Sequence, residues 1–441
     1  AYLFRLQEAI NFIRRFVSEL KNYAKQKGRA FFFAYNGGLK IAEHAIGSDF
    51  ADYLIEEHFY FAKPWAIPKA SIDAKLLEDL PQKVVILTEA SDDHGKIPRE
   101  TKNLFKYMFA DIYSNSNAIM IVCYPEMYTL SNWEYLEPGI KYDLNEASKY
   151  TRFLRKHPEL FHLKEPAKVA VVHSFPTRRA KTSPWKEKPL DPEGELKGAI
   201  ALLLDSNIPF KTILSGDDWL YPNNKIQPSK LENLQVLILP DVEAISEEEI
   251  KAILDYVKKG GTVIQSGRFA VFNKDGTPKE NQLQMFKEKG IHKYGSGTWH
   301  NLGTSFFSKY YSTEKGTILP TERTQSDKEL ISNFKSIVFK YTQPEIETTA
   351  PLTVNIRRYI QDNRIVLHLV NYNFNPSKDE FSPVRDFTVT ITLPKNFVPK
   401  KAIAFDPELS KEKELEITTQ NQKATIKIPY LYAYLIIELK Q

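Results

Sequence analysis

The sequence predicts a protein of the α/β class whose chain ends in a small antiparallel β-sandwich. Two patterns carry that expectation. Over residues 1–345, continuous apolar runs alternate with amphipathic stretches, as parallel strands buried on both faces alternate with helices. From about Ala350 the period changes to two, in short runs separated by turn residues.

The elements follow in order. Leu3, Leu6, Ile10, Ile13, Val17 and Leu20 recur at helical spacing and predict a helix over 2–27, ended by Gly28 in the left-handed position that suits it. A chain that opens on a helix without a preceding strand reads as a fragment or a processed product. A strand is expected over 30–34, ending at Tyr35 and Asn36, then a helix over 39–46. The next strand, 52–55, closes on Glu56, Glu57 and His58. Val84, Val85, Ile86 and Leu87 form a third strand that Thr88 and Glu89 close, followed by a helix over 99–113. A fourth strand, 118–122, runs into Cys123 and Tyr124, and a helix over 145–156 stops before Pro158. These are four βα units. Ligands gather at the carboxyl ends of such strands, which makes Glu89 the first residue to suspect of chemistry.

Lys164, Glu165 and Pro166 read as a linker. Beyond it come a strand over 169–172, a long polar loop, a helix over 195–204 and strands over 210–214 and 236–239. Ser246 and Glu249 form a capping box for a helix over 247–259, Gly260 and Gly261 end it, and a strand over 262–265 follows. The pattern is that of a doubly wound layer. The last ninety or so residues hold strands over 353–356, 365–370, 387–393, 402–405, 415–418, 424–428 and 433–439. The expected parts are therefore 1–165, 166–345 and 346–441.

Composition narrows the class. A formal net charge of +5 is diluted over 441 residues rich in both signs, without a basic stripe, so no nucleic-acid partner is expected. No run is long and apolar enough to span a bilayer, and the N-terminus lacks a signal-peptide pattern, so the expectation is a cytoplasmic protein without a membrane partner. A single cysteine excludes an internal disulfide and a cysteine-based zinc site. No metal or cofactor is expected. Abundant Lys and Glu with little Cys, Met or Gly fits a thermophilic source.

Several residues carry the resemblance that follows. Phe4, Arg5, Leu6 and Gln7 open a long helix; Thr88, Glu89, Ala90 and Ser91 close a strand; Asp241 precedes the helix and glycine pair of 247–261; Val370, Asn371 and Tyr372 open the last sheet region. Together with the order of parts, they resemble the family 42 glycoside hydrolases, the β-galactosidases. That resemblance implies a partial (β/α)8 barrel made of the C-terminal half of the barrel. It further implies a flavodoxin-like, class I amidotransferase-like trimerisation domain and a C-terminal β-sandwich. It also implies a carbohydrate substrate, a homo-oligomer such as a trimer, and a retaining two-carboxylate mechanism with Glu89 as nucleophile. The family's acid/base follows barrel strand four, which has no counterpart here. A missing N-terminal half or a second chain would then complete the barrel. Asp92, Asp93 and His94 depart from the family's motif after Glu89.

Tyr35, Asn36, Glu57, His58, Trp65, Tyr124 and Glu126 are the candidate substrate-binding residues, as stacking platforms and hydroxyl partners at or after strand ends. Each has a plainer alternative, in rim packing or a solvated loop. Amidotransferase chemistry is disfavoured, because Cys123 lies in the first part and Gln265, Ser266, Gly267 and Arg268 do not form a nucleophile elbow. His173 and Asp218 are expected to be ordinary loop residues. The competing reading is a non-catalytic carbohydrate-binding or assembly protein on the same scaffold.

Overall fold

The computed structural model describes residues 2–36, 48–60, 69–80, 82–89, 98, 100–115, 118–122, 141–182, 194–218, 220–280, 282–311, 323–361, 363–409 and 411–441. Mixed α/β architecture is observed, with parallel sheets first and antiparallel sheets last.

Helix α1 (Tyr2–Gln26) leads into a four-stranded sheet in the order β1 (Ala34–Asn36), β2 (Tyr53–Phe59), β3 (Lys83–Glu89) and β4 (Ala118–Val122). All its pairings are parallel. Helix α1 buries Leu6, Ile10 and Val17 and ties itself down through Arg14 to Asp49 at 2.8 Å and Lys21 to Asp52 at 2.9 Å. Phe4, Phe12, Phe16 and Tyr23 lie exposed along the same helix. Helices α2 (Ser71–Leu76), α3 (Leu104–Tyr113) and α4 (Leu144–Lys156) accompany the sheet. The expected helix over 39–46 falls outside the described residues.

Three boundaries differ from the sequence reading, the first being β1, which forms at Ala34–Asn36 and not over 30–34. Strand β2 runs on through Glu56, Glu57 and His58 instead of closing on them. Helix α3 starts at Leu104, while Glu100–Thr101 pair in parallel with Lys141–Tyr142.

The second sheet contains β5 (Val169–Ser174), β6 (Phe210–Ser215), β7 (Val236–Pro240), β8 (Thr262–Ser266), β9 (Gly290–Tyr294) and β10 (Gly297–Asn301), in the order β9-β10-β8-β7-β5-β6. Only β9 runs antiparallel, against β10. Alternate residues feed two cores. Val169, Val171, Val236 and Ile238 join α6 (Gly194–Asp205), while Ala170, Val172, Leu237 and Leu239 join α7 (Glu247–Lys258). Helix α5 (Phe175–Thr182) occupies the start of the expected polar loop. His173, expected in that loop, instead lies fully buried in β5.

The sandwich packs β11 (Ile346–Thr348), β14 (Val384–Thr392), β18 (Lys423–Leu431) and β17 (Ile417–Gln420) against a five-stranded sheet. That sheet orders β12 (Val354–Gln361), β13 (Arg364–Asn371), β19 (Tyr434–Lys440), β15 (Lys401–Phe405) and β16 (Glu412–Leu415). The expected strand over 415–418 is thus two strands, one in each sheet. Inward residues such as Ile356, Leu367, Val389 and Ile426 form the sandwich core. Val366, Val370 and Ile436 face outward and join the core that contains α3.

Every residue of α3 is therefore buried, as expected of a helix covered on all sides. Its Asp111 accepts from Tyr60 Oη at 2.7 Å, the Ala70 amide at 2.5 Å and Tyr372 Oη at 2.6 Å. Beside it, Lys69 pairs with Asp205 and donates to Asn355 at 3.0 Å, and Arg323 lies 3.3 Å from Asp205. Buried charges persist only when so compensated, and here the compensation joins all three sheet systems.

Candidate functional site

Alternation along β2 and β3 divides the first sheet into two unlike faces. Leu54, Glu56 and His58 of β2, with Val84, Ile86 and Thr88 of β3, are buried toward the helices. Opposite them lie Tyr53, Ile55, Glu57, Lys83, Val85 and Leu87, of which Val85 is buried while Glu57 and Lys83 are exposed. Asn36 pairs in register with Ile55, so it shares this open face, and its Nδ2 donates to Glu57 Oε1 at 2.8 Å. Phe59 pairs with Glu89, two positions beyond the Glu57–Leu87 pair, so register puts position 89 on the same face at the last residue of β3. Strand spacing of about 4.8 Å and a rise of about 3.3 Å per residue place the Cα atoms of Glu57 and Glu89 roughly 8 Å apart.

His58 belongs to the other face. Its Nδ1 lies 3.0 Å from Asp73 Oδ2, both side chains are 2% exposed, and its ring meets Tyr60 edge-on at 4.5 Å. Lys197 of α6 stands 3.8 Å from the second oxygen of Asp73. These contacts lock β2 to α2 and α6. Tyr35 also falls on the helix-facing register and packs against the main core. The structure therefore brings together Asn36, Glu57 and position 89, and sets Tyr35 and His58 apart from them. Trp65, Tyr124 and Glu126 lie outside the described residues, as do Asp92, Asp93 and His94.

The second sheet holds its polar strand ends in internal contacts. Ser174 donates to the Ala244 carbonyl at 2.7 Å, Ser266 to Glu195 at 2.6 Å, and Arg179 forms a buried two-point pair with Asp217 at 2.9 and 3.0 Å. His173 is desolvated and pushed down to about 3, so it is neutral across the physiological range. Among the described residues no group of three or more His, Cys, Asp or Glu is placed to hold a metal ion. Among them, too, no helix is long and apolar enough to cross a membrane.

No protein-family model matches the chain, and no curated protein does. Solved structures do. A β-galactosidase from the Antarctic haloarchaeon Halorubrum lacusprofundi aligns at TM-score 0.54 and 10% identity, over 90% of this chain and 61% of its own. A GH42 β-galactosidase from G. stearothermophilus aligns at TM-score 0.53 and 11% identity, over 89% and 60%. An α-L-fucosidase from Paenibacillus thiaminolyticus aligns at TM-score 0.52 and 13% identity, over 84% and 62%. The fold is glycosidase-like. The chain spans about three fifths of the length of the proteins it aligns with.

Proposed function

We propose that this chain is a glycoside hydrolase-like protein acting on a β-linked sugar by a retaining two-carboxylate mechanism, with Glu89 as nucleophile. In that mechanism the Glu89 carboxylate attacks the anomeric carbon as the glycosidic C–O bond breaks. Water then displaces the carboxylate from the glycosyl-enzyme. Glu57, held by Asn36, accepts hydroxyl hydrogens of the same sugar from the adjacent strand. Trp65, Tyr124 and Glu126 are assigned to the rim of the pocket, and the reaction needs no cofactor.

The observation that carries this reading is the shared open face of Asn36, Glu57 and position 89 at the carboxyl ends of parallel strands. The glycosidase-like fold supports it. So do the outer edges of β1 and β4, unpaired among the described residues, and the aromatic stripe on α1. On this reading the four-stranded parallel sheet with its open face is part of a barrel, whose further βα units would cover these surfaces. The acid/base is assigned to those units, in the same polypeptide or a second one. Residues 166–345 are assigned to oligomerisation, with a trimer as the working assembly.

A 2-deoxy-2-fluoro-β-galactoside with a dinitrophenyl leaving group tests the nucleophile directly, because that leaving group departs without protonation. Mass spectrometry is expected to find one fluoroglycosyl adduct on the peptide containing Glu89, absent in Glu89→Gln. An unlabelled wild-type chain, or a label that survives in the variant, overturns the assignment.

A further inference from the structure

A second cleft lies away from the open face, where the C-terminal half of α4 meets the sandwich. It encloses about 510 Å³ and is lined by Lys149, Arg152, Phe153, Lys156, His157, Phe405, Asp406, Lys411 and Glu412. That volume falls within the range of small-molecule clefts, roughly 300–1,000 Å³. Its floor is aromatic: the His157 ring stands 5.1 Å from Phe153 and 5.2 Å from Phe405. Its rim is cationic. Positions 149, 152, 153 and 156 share one face of α4 by helical spacing, and Lys411 faces them from the sandwich.

The acids nearby offset this charge only in part, although Glu412 also lines the cleft and is exposed, and His157 Nδ1 lies 3.4 Å from Glu159. Lys149 is paired with Glu146 at 2.6 Å. Asp406 turns back to accept the Glu408 amide at 2.8 Å, and Glu408 is engaged by Lys106 and by Tyr150 at 2.6 Å. Arg152, Lys156 and Lys411 are exposed and have no ion-pair partner among the described residues. One structural role is available to the cations, since the last turn of a helix carries about half a negative charge. That half charge accounts for Lys156, and Glu146 for Lys149, but neither accounts for Arg152, a turn earlier, nor for Lys411 in the bend before β16 of the sandwich.

An apolar aromatic floor under a cationic rim recognises a flat, weakly polar ring that bears an anion. We propose that this cleft binds acidic saccharide, a pyranose chain carrying carboxylate or sulfate. The saccharide class rests on the glycosidase-like reading above, whereas the anion preference rests on the cleft alone. Bound here, the acidic chain would be held on the α4 flank of the molecule, apart from the face that carries Glu57 and position 89.

The test is titration calorimetry of the full chain with three probes: a short oligogalacturonate, a short sulfated galactan and the neutral galactan. Saturable binding of an acidic probe is expected, weakening as salt rises, with the neutral galactan bound at least tenfold less tightly. The identity of the acidic probe that binds separates carboxylate from sulfate. Arg152→Ala combined with Lys156→Ala, and separately Lys411→Glu, are expected to weaken binding about tenfold with the circular dichroism spectrum unchanged. Equal binding of the neutral chain, no binding of either acidic probe, or unaltered affinity in the variants overturns the proposal. Labelling of Glu89 without acidic-saccharide binding sinks this inference alone; acidic-saccharide binding without labelling sinks only the catalytic reading.

Discussion

Glu57 and His58 are neighbours in sequence, yet a strand's alternation sends them to opposite faces of one sheet. Glu57 is expected to matter for ligand and not for folding. Glu57→Gln should raise KM for an aryl glycoside severalfold while leaving the melting temperature within a degree or so, a split that kinetics and calorimetry can read together. Asp73→Ala should do the reverse. It removes a buried carboxylate from beside His58 and Lys197, at a cost of about 3 kcal/mol, measurable by urea unfolding.

Two further histidines set a pH dependence. His173 and His368 are both buried and held at about 3 in the folded protein, against an ordinary value of 6.5. The unfolded chain therefore binds more protons between those values. Stability is fully present above about pH 6.5 and is lost as pH falls toward 3, by about 1.4 kcal/mol per unit for each histidine. Urea midpoints measured from pH 7 to pH 5 should fall accordingly, and His173→Gln should flatten the slope. The place of Glu89 at the end of β3 was legible in the sequence because an apolar run ending in an acid is a local pattern. The burial of His58 and His173 was not, because it depends on which helices arrive from elsewhere.

Helix boundaries show the same division. The capping box of α7 was readable, since Ser246 and Glu249 sit three apart and close on each other in the structure. The start of α3 was misplaced at residue 99 for a physical reason. Its cap is not local: Asp379, about 275 residues later, accepts the amides of Lys102 at 2.5 Å, Asn103 at 3.0 Å and Leu104 at 2.9 Å. Asp379→Ala should cost about 1–2 kcal/mol, as loss of a good N-cap does, and hydrogen exchange should rise first in the opening turn of α3. The divided strand around Glu416 was equally hidden. Alternation continues through it, and only the pairing of β16 with β15 and of β17 with β18 shows that the chain changes sheets.

At the scale of the molecule, the order of the parts was legible because parallel and antiparallel layers have different sequence periods. The junction was not, being assembled from Lys69, Asp111, Asp205, Arg323, Asn355 and Tyr372, single residues scattered over the chain. Lys69 sits lower than an ordinary lysine, because burial outweighs the pull of Asp205. Asp205 is also desolvated, but Lys69 and Arg323 keep it below the usual carboxylate range. Asp205→Asn leaves Lys69 and Arg323 facing each other without their nearest counter-charge. It should cost about 3–5 kcal/mol and divide a single calorimetric transition into two, as the parts lose their common fastening.

The enclosure of α3 also bears on synthesis. Its last neighbours, Tyr432 beside Lys106 and Tyr434 beside Phe109, leave the ribosome roughly 15–60 seconds after the helix itself, at the usual 5–20 residues per second. Through that interval a stretch bearing Phe105, Met108, Phe109 and Ile112 has no lasting cover. A nascent chain stalled before the sandwich should therefore be a client for chaperones, and the first layer should settle only once the sandwich strands have been made.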